Sequence, residues 1–110
     1  MSTPAQVSVR RCADGVALVS ARGEFDLRTA DLLRQALADA LVPGPDRLVV
    51  DVGGVTFMDS MGLRALVGGY RTARRQNTPF VVDNPSAFMR YKLDTVGLAE
   101  ILGMAATASA

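Results

Sequence analysis

Apolar and polar residues alternate from Val7 to Arg11, with Val7 and Val9 set against Ser8 and Arg10. This is the period-two pattern of a half-exposed strand. Asp14-Gly15 marks a tight turn, and alternation resumes from Val16 to Arg22 through Val16, Leu18 and Ser20. The spacing predicts an antiparallel hairpin. Gly23-Glu24-Phe25-Asp26 breaks the alternation, and Asp26 is a candidate N-cap for a helix carrying Ala30, Leu33, Leu37 and Leu41 on one face. Pro43-Gly44-Pro45 ends that helix.

Arg47 to Val52 is a short apolar run with the β-branched content of a buried central strand. Gly53-Gly54 and Thr56 then lead to Asp59-Ser60, after which Leu63, Leu66, Val67, Tyr70 and Ala73 recur at helical spacing. Gly68-Gly69 inside this helix costs about 1 kcal/mol per glycine relative to alanine, a loss that close packing against the sheet would offset. Arg71, Arg74 and Arg75 fall near its C-terminal end, where cations complement the dipole. Phe80-Val81-Val82 reads as a fourth strand. Asn84-Pro85 predicts a third helix, with Asn84 as cap and Pro85 at the first helical position, running to about Asp94. Gly97 interrupts it, and Leu98 to Leu102 forms a last turn or short helix.

The predicted order, β-β-α-β-α-β-α, calls for one antiparallel hairpin and two strand-helix-strand crossovers with parallel pairing. The fold class is therefore α/β, a mixed sheet of four to five strands with helices packed on it. Residues 1–110 form one expected domain, ordered from about 7 to 103, with a small and featureless tail from Met104 to Ala110.

Composition narrows the chemistry more than it adds to it. Twelve Lys and Arg against eleven Asp and Glu leave a net charge of +1, which exerts no long-range pull on nucleic acid or anionic membrane. Cys12 is the only cysteine, so an internal disulfide and a multi-cysteine metal site are both excluded. The N-terminus does not read as a signal peptide, and no apolar run approaches the ~18 to 20 residues of a membrane span. A soluble, cytoplasmic protein is expected. The chain has no histidine, which removes Ser-His-Asp triads and histidine metal sites together. No Gly-Lys-Ser/Thr follows Gly53, Gly54 or Gly62, and Gly-x-Gly-x-x-Gly is missing.

What remains is one serine at a strand-to-helix turn. In Phe57-Met58-Asp59-Ser60-Met61-Gly62-Leu63, either Asp59 or Ser60 can cap the helix by accepting from an amide two or three residues on. The alternative is a regulatory phosphorylation of Ser60, because a helix start tolerates the added negative charge. A nucleophile elbow is excluded by Met58 where glycine is required, and by the missing base.

Gly23-Glu24-Phe25-Asp26, Val50-Asp51-Val52 through Leu63, and Val96-Gly97-Leu98 with Ile101-Leu102 together resemble the STAS domain of bacterial anti-sigma factor antagonists. The resemblance covers about Val7 to Gly103. Its most specific part is Asp-Ser-x-Gly-Leu after an apolar strand, with Gly-Glu-x-Asp before it. It implies partner switching: a binding regulator and not an enzyme, without a cofactor of its own. Unphosphorylated, the protein would sequester an anti-sigma factor that is also a serine kinase, freeing a sigma factor. That kinase, with its own ATP and Mg²⁺, would phosphorylate Ser60 and release the antagonist, and a phosphoserine phosphatase would reset it. Ser60 is thus the implied phosphoacceptor and Asp59 its acidic neighbour. Gly23, Glu24 and Asp26 match the turn beside the docking surface, which also takes in Met61 and Gly62. Many relatives have a second serine or threonine where this chain has Met61, a residue suited equally to a partner's apolar pocket or to internal packing. Neither direct nucleic-acid binding nor membrane insertion is implied. The alternative function is an accessory STAS subunit of a lipid-transporter ATPase complex. Direct nucleotide binding ranks last, for want of any phosphate loop.

Overall fold

The computed structural model describes residues 3–98. Across them run β1 (Gln6–Arg11), β2 (Val16–Phe25), α1 (Ala30–Ala40), β3 (Arg47–Met58), α2 (Ser60–Arg75), β4 (Phe80–Asp83) and α3 (Ala87–Thr95). The four strands lie side by side in chain order. β1 pairs antiparallel with β2, while β2–β3 and β3–β4 are parallel, giving the mixed sheet that the pattern predicts. The expected last turn beyond Leu98 and the tail lie outside the described residues.

One face of the sheet carries Ala17, Val19, Ala21 and Phe25 from β2, and Leu48, Val50, Val52, Val55 and Met58 from β3, all of them buried. Val16, Leu18 and Ser20 of β2 stand half-buried on the opposite face. Leu33 and Leu37 of α1, Leu66 of α2, and Met89 and Leu93 of α3 join the first set in one apolar cluster.

β3 is twice the length of the apolar run that announces it. Ser20 pairs with Asp51 but Arg22 with Gly54, and Gly23 pairs with Val55 but Glu24 with Phe57. At each step β3 advances one residue more than β2, so two bulges sit within the strand. Each flips the inward phase, so that the core positions run Val52, Val55, Met58 and not every second residue. Gly53-Gly54 is therefore strand interior, beyond the Arg47 to Val52 run that the sequence pattern marks as the strand. The turn Gly23-Glu24-Phe25 is likewise the end of β2.

Two helix starts lie later than predicted. α1 begins at Ala30 with Thr29 before it. Asp26 instead closes a preceding turn, accepting the Arg28 amide on its carboxylate (2.9 Å) and the Ala30 amide on its carbonyl (2.8 Å). α3 is capped by Ser86, whose hydroxyl accepts from the Met89 amide (3.1 Å) and donates to the Val55 carbonyl (2.7 Å). Asn84 adopts φ +50° and turns its amide to Asp51 at 3.2 Å. The Asp26 carboxylate is claimed by its own turn, and the Asn84 amide by a distant strand.

Helix ends are held from outside as well. α1 has no basic residue in its last turn. Arg11 from β1 supplies one, donating to the carbonyls of Ala40 (2.9 Å), Asp39 (2.8 Å) and Val42 (2.7 Å). The guanidinium thereby meets both the unpaired carbonyls and the negative end of the dipole.

Of the glycine pair in α2, Gly69 serves helix-on-helix packing, not packing on the sheet. A Cβ on Gly69 would sit 2.7 Å from Leu37 Cδ1 and 3.2 Å from its Cβ, whereas one on Gly68 would meet nothing within 4 Å. Gly68→Ala is therefore expected to raise stability by about 0.5–1 kcal/mol, through helix propensity alone. Gly69→Val is expected to lower it by about 1–3 kcal/mol through overpacking. Urea unfolding of the two variants checks both signs.

Candidate functional site

The end of β2 and the start of α2 are joined directly, because the Asp59 amide donates to the Phe25 carbonyl at 3.0 Å. Asp59 is extended (φ −97°, ψ −168°), and its Oδ1 accepts from the amides of Met61 (2.9 Å) and Gly62 (3.3 Å). The Leu63 amide closes onto the Asp59 carbonyl at 3.0 Å. Of the two residues able to cap this helix, Asp59 does so. Ser60 is the first helical residue, exposed, and its hydroxyl has no hydrogen-bond partner among the described residues.

Gly62 lets this turn approach the sheet. A Cβ there would stand 2.5 Å from Met58 Cγ and 3.1 Å from Phe25 Cβ, two side chains that are fully buried. Gly62 and Gly23 are themselves buried, a position from which they set the backbone under the surface and offer it no side chain.

The turn between β2 and α1 lies beside Ser60 through the Phe25–Asp59 bond. Glu24 is half-buried and paired with Phe57, itself 42 % exposed. Thr29 holds the turn together: its hydroxyl accepts from the Asp26 amide (3.0 Å) and lies within donating distance of the Glu24 carbonyl (2.9 Å) and Asp26 Oδ1 (3.2 Å). The carboxylate of Asp26 is thus engaged in its own turn.

Met61 is half-buried and lines a groove of about 320 Å³ between α1 and α2, floored by Ala30 and Ala65 and edged by Leu27 and Arg64. Leu27 is 73 % exposed. On the same rim Arg34 binds Asp31 at 2.6 Å, and this hydrogen bond, with the charge behind it, holds the Asp31 carboxyl below its ordinary range. Thr29, Leu27 and Arg64 were not singled out from the sequence. Thr29 carries no periodic signal, and Leu27 falls in the first turn of the helix expected after Asp26, off its apolar face of Ala30, Leu33, Leu37 and Leu41.

The family model "Mlab, STAS domain" matches residues 9–105. This chain belongs to the STAS domain family. The anti-sigma-F factor antagonist RsfB of Mycobacterium tuberculosis is 41% identical over 68 residues, covering 60% of the present chain. The aligned stretch spans 55% of RsfB, about half its length. The anti-sigma-B factor antagonist of Bacillus subtilis is 31% identical over 88 residues, 80% of each chain. The crystal structure of an anti-sigma factor antagonist from Mycobacterium paratuberculosis shares the fold with a TM-score of 0.84 and 31% identity, over 97% of this STAS domain and 92% of that chain. Among the described residues no helix is long and apolar enough to cross a membrane.

Because Asp59 caps α2, Asp59→Ala is expected to lower stability by about 1 kcal/mol, while Asp59→Asn keeps most of it. Equilibrium denaturation distinguishes the two, and Ser60→Ala serves as the control that leaves the cap intact.

Proposed function

We propose that this STAS domain is an anti-sigma factor antagonist, a binding regulator in which Ser60 is the phosphoacceptor. One observation carries the reading: the cap of α2 is supplied by Asp59, which leaves the neighbouring Ser60 hydroxyl exposed and free of any internal bond. A serine needed as a cap would be withdrawn from chemistry; this one is not. The names of the curated relatives favour antagonism over an accessory role in a transporter complex.

In this reading the unmodified surface of Ser60, Met61, Asp59 and the Gly23–Asp26 turn docks on an anti-sigma factor that is a serine kinase. The sigma factor held by that kinase is released. The kinase then transfers the γ-phosphoryl group of its bound ATP to Ser60 Oγ: the hydroxyl proton passes to a base on the kinase, an O–P bond forms, and ADP leaves. A phosphoserine phosphatase removes the group by hydrolysis. The protein works in the cytoplasm, with no cofactor of its own.

The magnitudes allow one phosphate to act as the switch. Weakening a complex a thousandfold takes about 4.1 kcal/mol, and desolvating an uncompensated ion at an interface costs several kcal/mol after relaxation. The group sits outside the core, so the penalty falls on docking and not on folding.

Incubation with the cognate kinase and ATP, followed by mass spectrometry, is expected to place the label on Ser60. Ser60→Ala should remain bound to the kinase, and Ser60→Asp should bind at least about tenfold more weakly, about 1.4 kcal/mol. Label on a different residue, or co-purification with a transporter ATPase in place of an anti-sigma factor, would overturn the assignment.

A further inference from the structure

A phosphate on Ser60 meets a helix start whose next two amides are already taken. The amides of Met61 and Gly62, which would ordinarily receive an anion there, are donating to Asp59, and that of Leu63 to the Asp59 carbonyl. The new charge would also stand next to the Asp59 carboxylate, with Glu24 and Asp26 on the adjoining turn. The dianion therefore needs a cation from elsewhere.

The arginines of α1 and α2 are not equally available. Arg34 is bound to Asp31 (2.6 Å), Arg74 to the Tyr70 hydroxyl (3.0 Å) and Arg75 to Thr72 Oγ1 (3.2 Å). Arg64 and Arg71 are exposed and make no hydrogen bond or ion pair among the described residues. Both line the same open groove as Ser60, a surface depression of about 530 Å³. They differ in reach. Arg64 is four residues on, about 6 Å along the helix axis, whereas Arg71 is eleven on, about 16 Å.

Direction favours Arg64 too. Side chains on a helix lean toward its N-terminus, so the stem of Arg64 covers the turn that begins at Ser60. An anion four residues ahead of a cation is also the better orientation of the pair. Guanidinium can grip two phosphate oxygens at once, which an ammonium cannot do with the same geometry.

We propose that Arg64 is the internal counter-ion of phosphorylated Ser60, a positioning residue that clasps the phosphate against the first turn of α2. The proposal rests on Ser60 being the phosphoacceptor. Arg64 then has two states: free beside the groove between α1 and α2 when Ser60 is unmodified, and folded back over the phosphate afterwards. The modification would thereby change the groove's rim as well as the serine.

The test installs phosphoserine at position 60 of the full chain during translation, with no kinase involved, and follows its phosphorus resonance through a pH titration. A guanidinium holding the dianion lowers the second ionisation of the phosphate, so Arg64→Gln is expected to raise that midpoint by about 0.3 pH unit or more. Arg64→Lys should restore part of the difference, and Arg71→Gln should leave the midpoint where it was. Equal midpoints in the parent and Arg64→Gln, or an equal effect of Arg71→Gln, would overturn the proposal. Thermal unfolding gives an independent reading: Arg64→Gln should lower the midpoint of the phosphorylated protein more than that of the unmodified one. An equal loss in both would mark Arg64 as merely structural. Because the phosphate is supplied synthetically, absence of kinase labelling at Ser60 would defeat the functional reading without deciding this one.

Discussion

The carboxylate of Asp59 can serve only one master at a time, and in this fold it serves the backbone. Two amides of α2 converge on a single oxygen, and the Asp59 amide is in turn tied to the end of β2. That arrangement sets the helix start, fixes its distance from the neighbouring turn, and leaves Ser60 with no internal duty. The same commitment removes the helix terminus as a ready anion site, which is why the fate of a phosphate here falls to a side chain one turn further on.

Close packing makes the arrangement stiff. Gly62 brings the first turn of α2 onto Met58 and Phe25, and Gly69 brings its middle onto Leu37 of α1. α2 is thus pressed against strand ends at one end and against a helix at its centre, while its outer face, with Ser60, Arg64 and Arg71, stays exposed. Core and surface roles alternate along one helix according to which residues can be approached by backbone.

Much of this was legible in the residue pattern. Alternation marked the hairpin, the run Leu48-Val49-Val50 marked the central strand, and the 3.6-residue period marked α1 and α2. The strand ends were not legible, because two bulges spread the core positions Val52, Val55 and Met58 three apart, a spacing that matches neither template. Asp26 and Asn84 misplaced two helix starts for a related reason. Each is a strong local capping signal, yet the Asp26 carboxylate closes its own turn and the Asn84 amide reaches Asp51, thirty-three residues away. The site itself was readable as a motif, but the division of labour between Asp59 and Ser60 was not, since both residue types cap helices equally well. Arg64 carried no signal at all, because its significance depends on which amides are already taken.

Ser60 is built into the first turn of a helix and is not carried on a loose loop. A flexible loop can be drawn out and threaded into a deep catalytic cleft as an extended strand; a residue with helical torsions and a buried glycine two places on cannot. Any enzyme that modifies this hydroxyl must therefore come down onto a prefolded epitope, reading contours assembled from separate parts of the chain. Selectivity of that kind resides in tertiary shape, and a short peptide copied from the surrounding sequence would carry almost none of it.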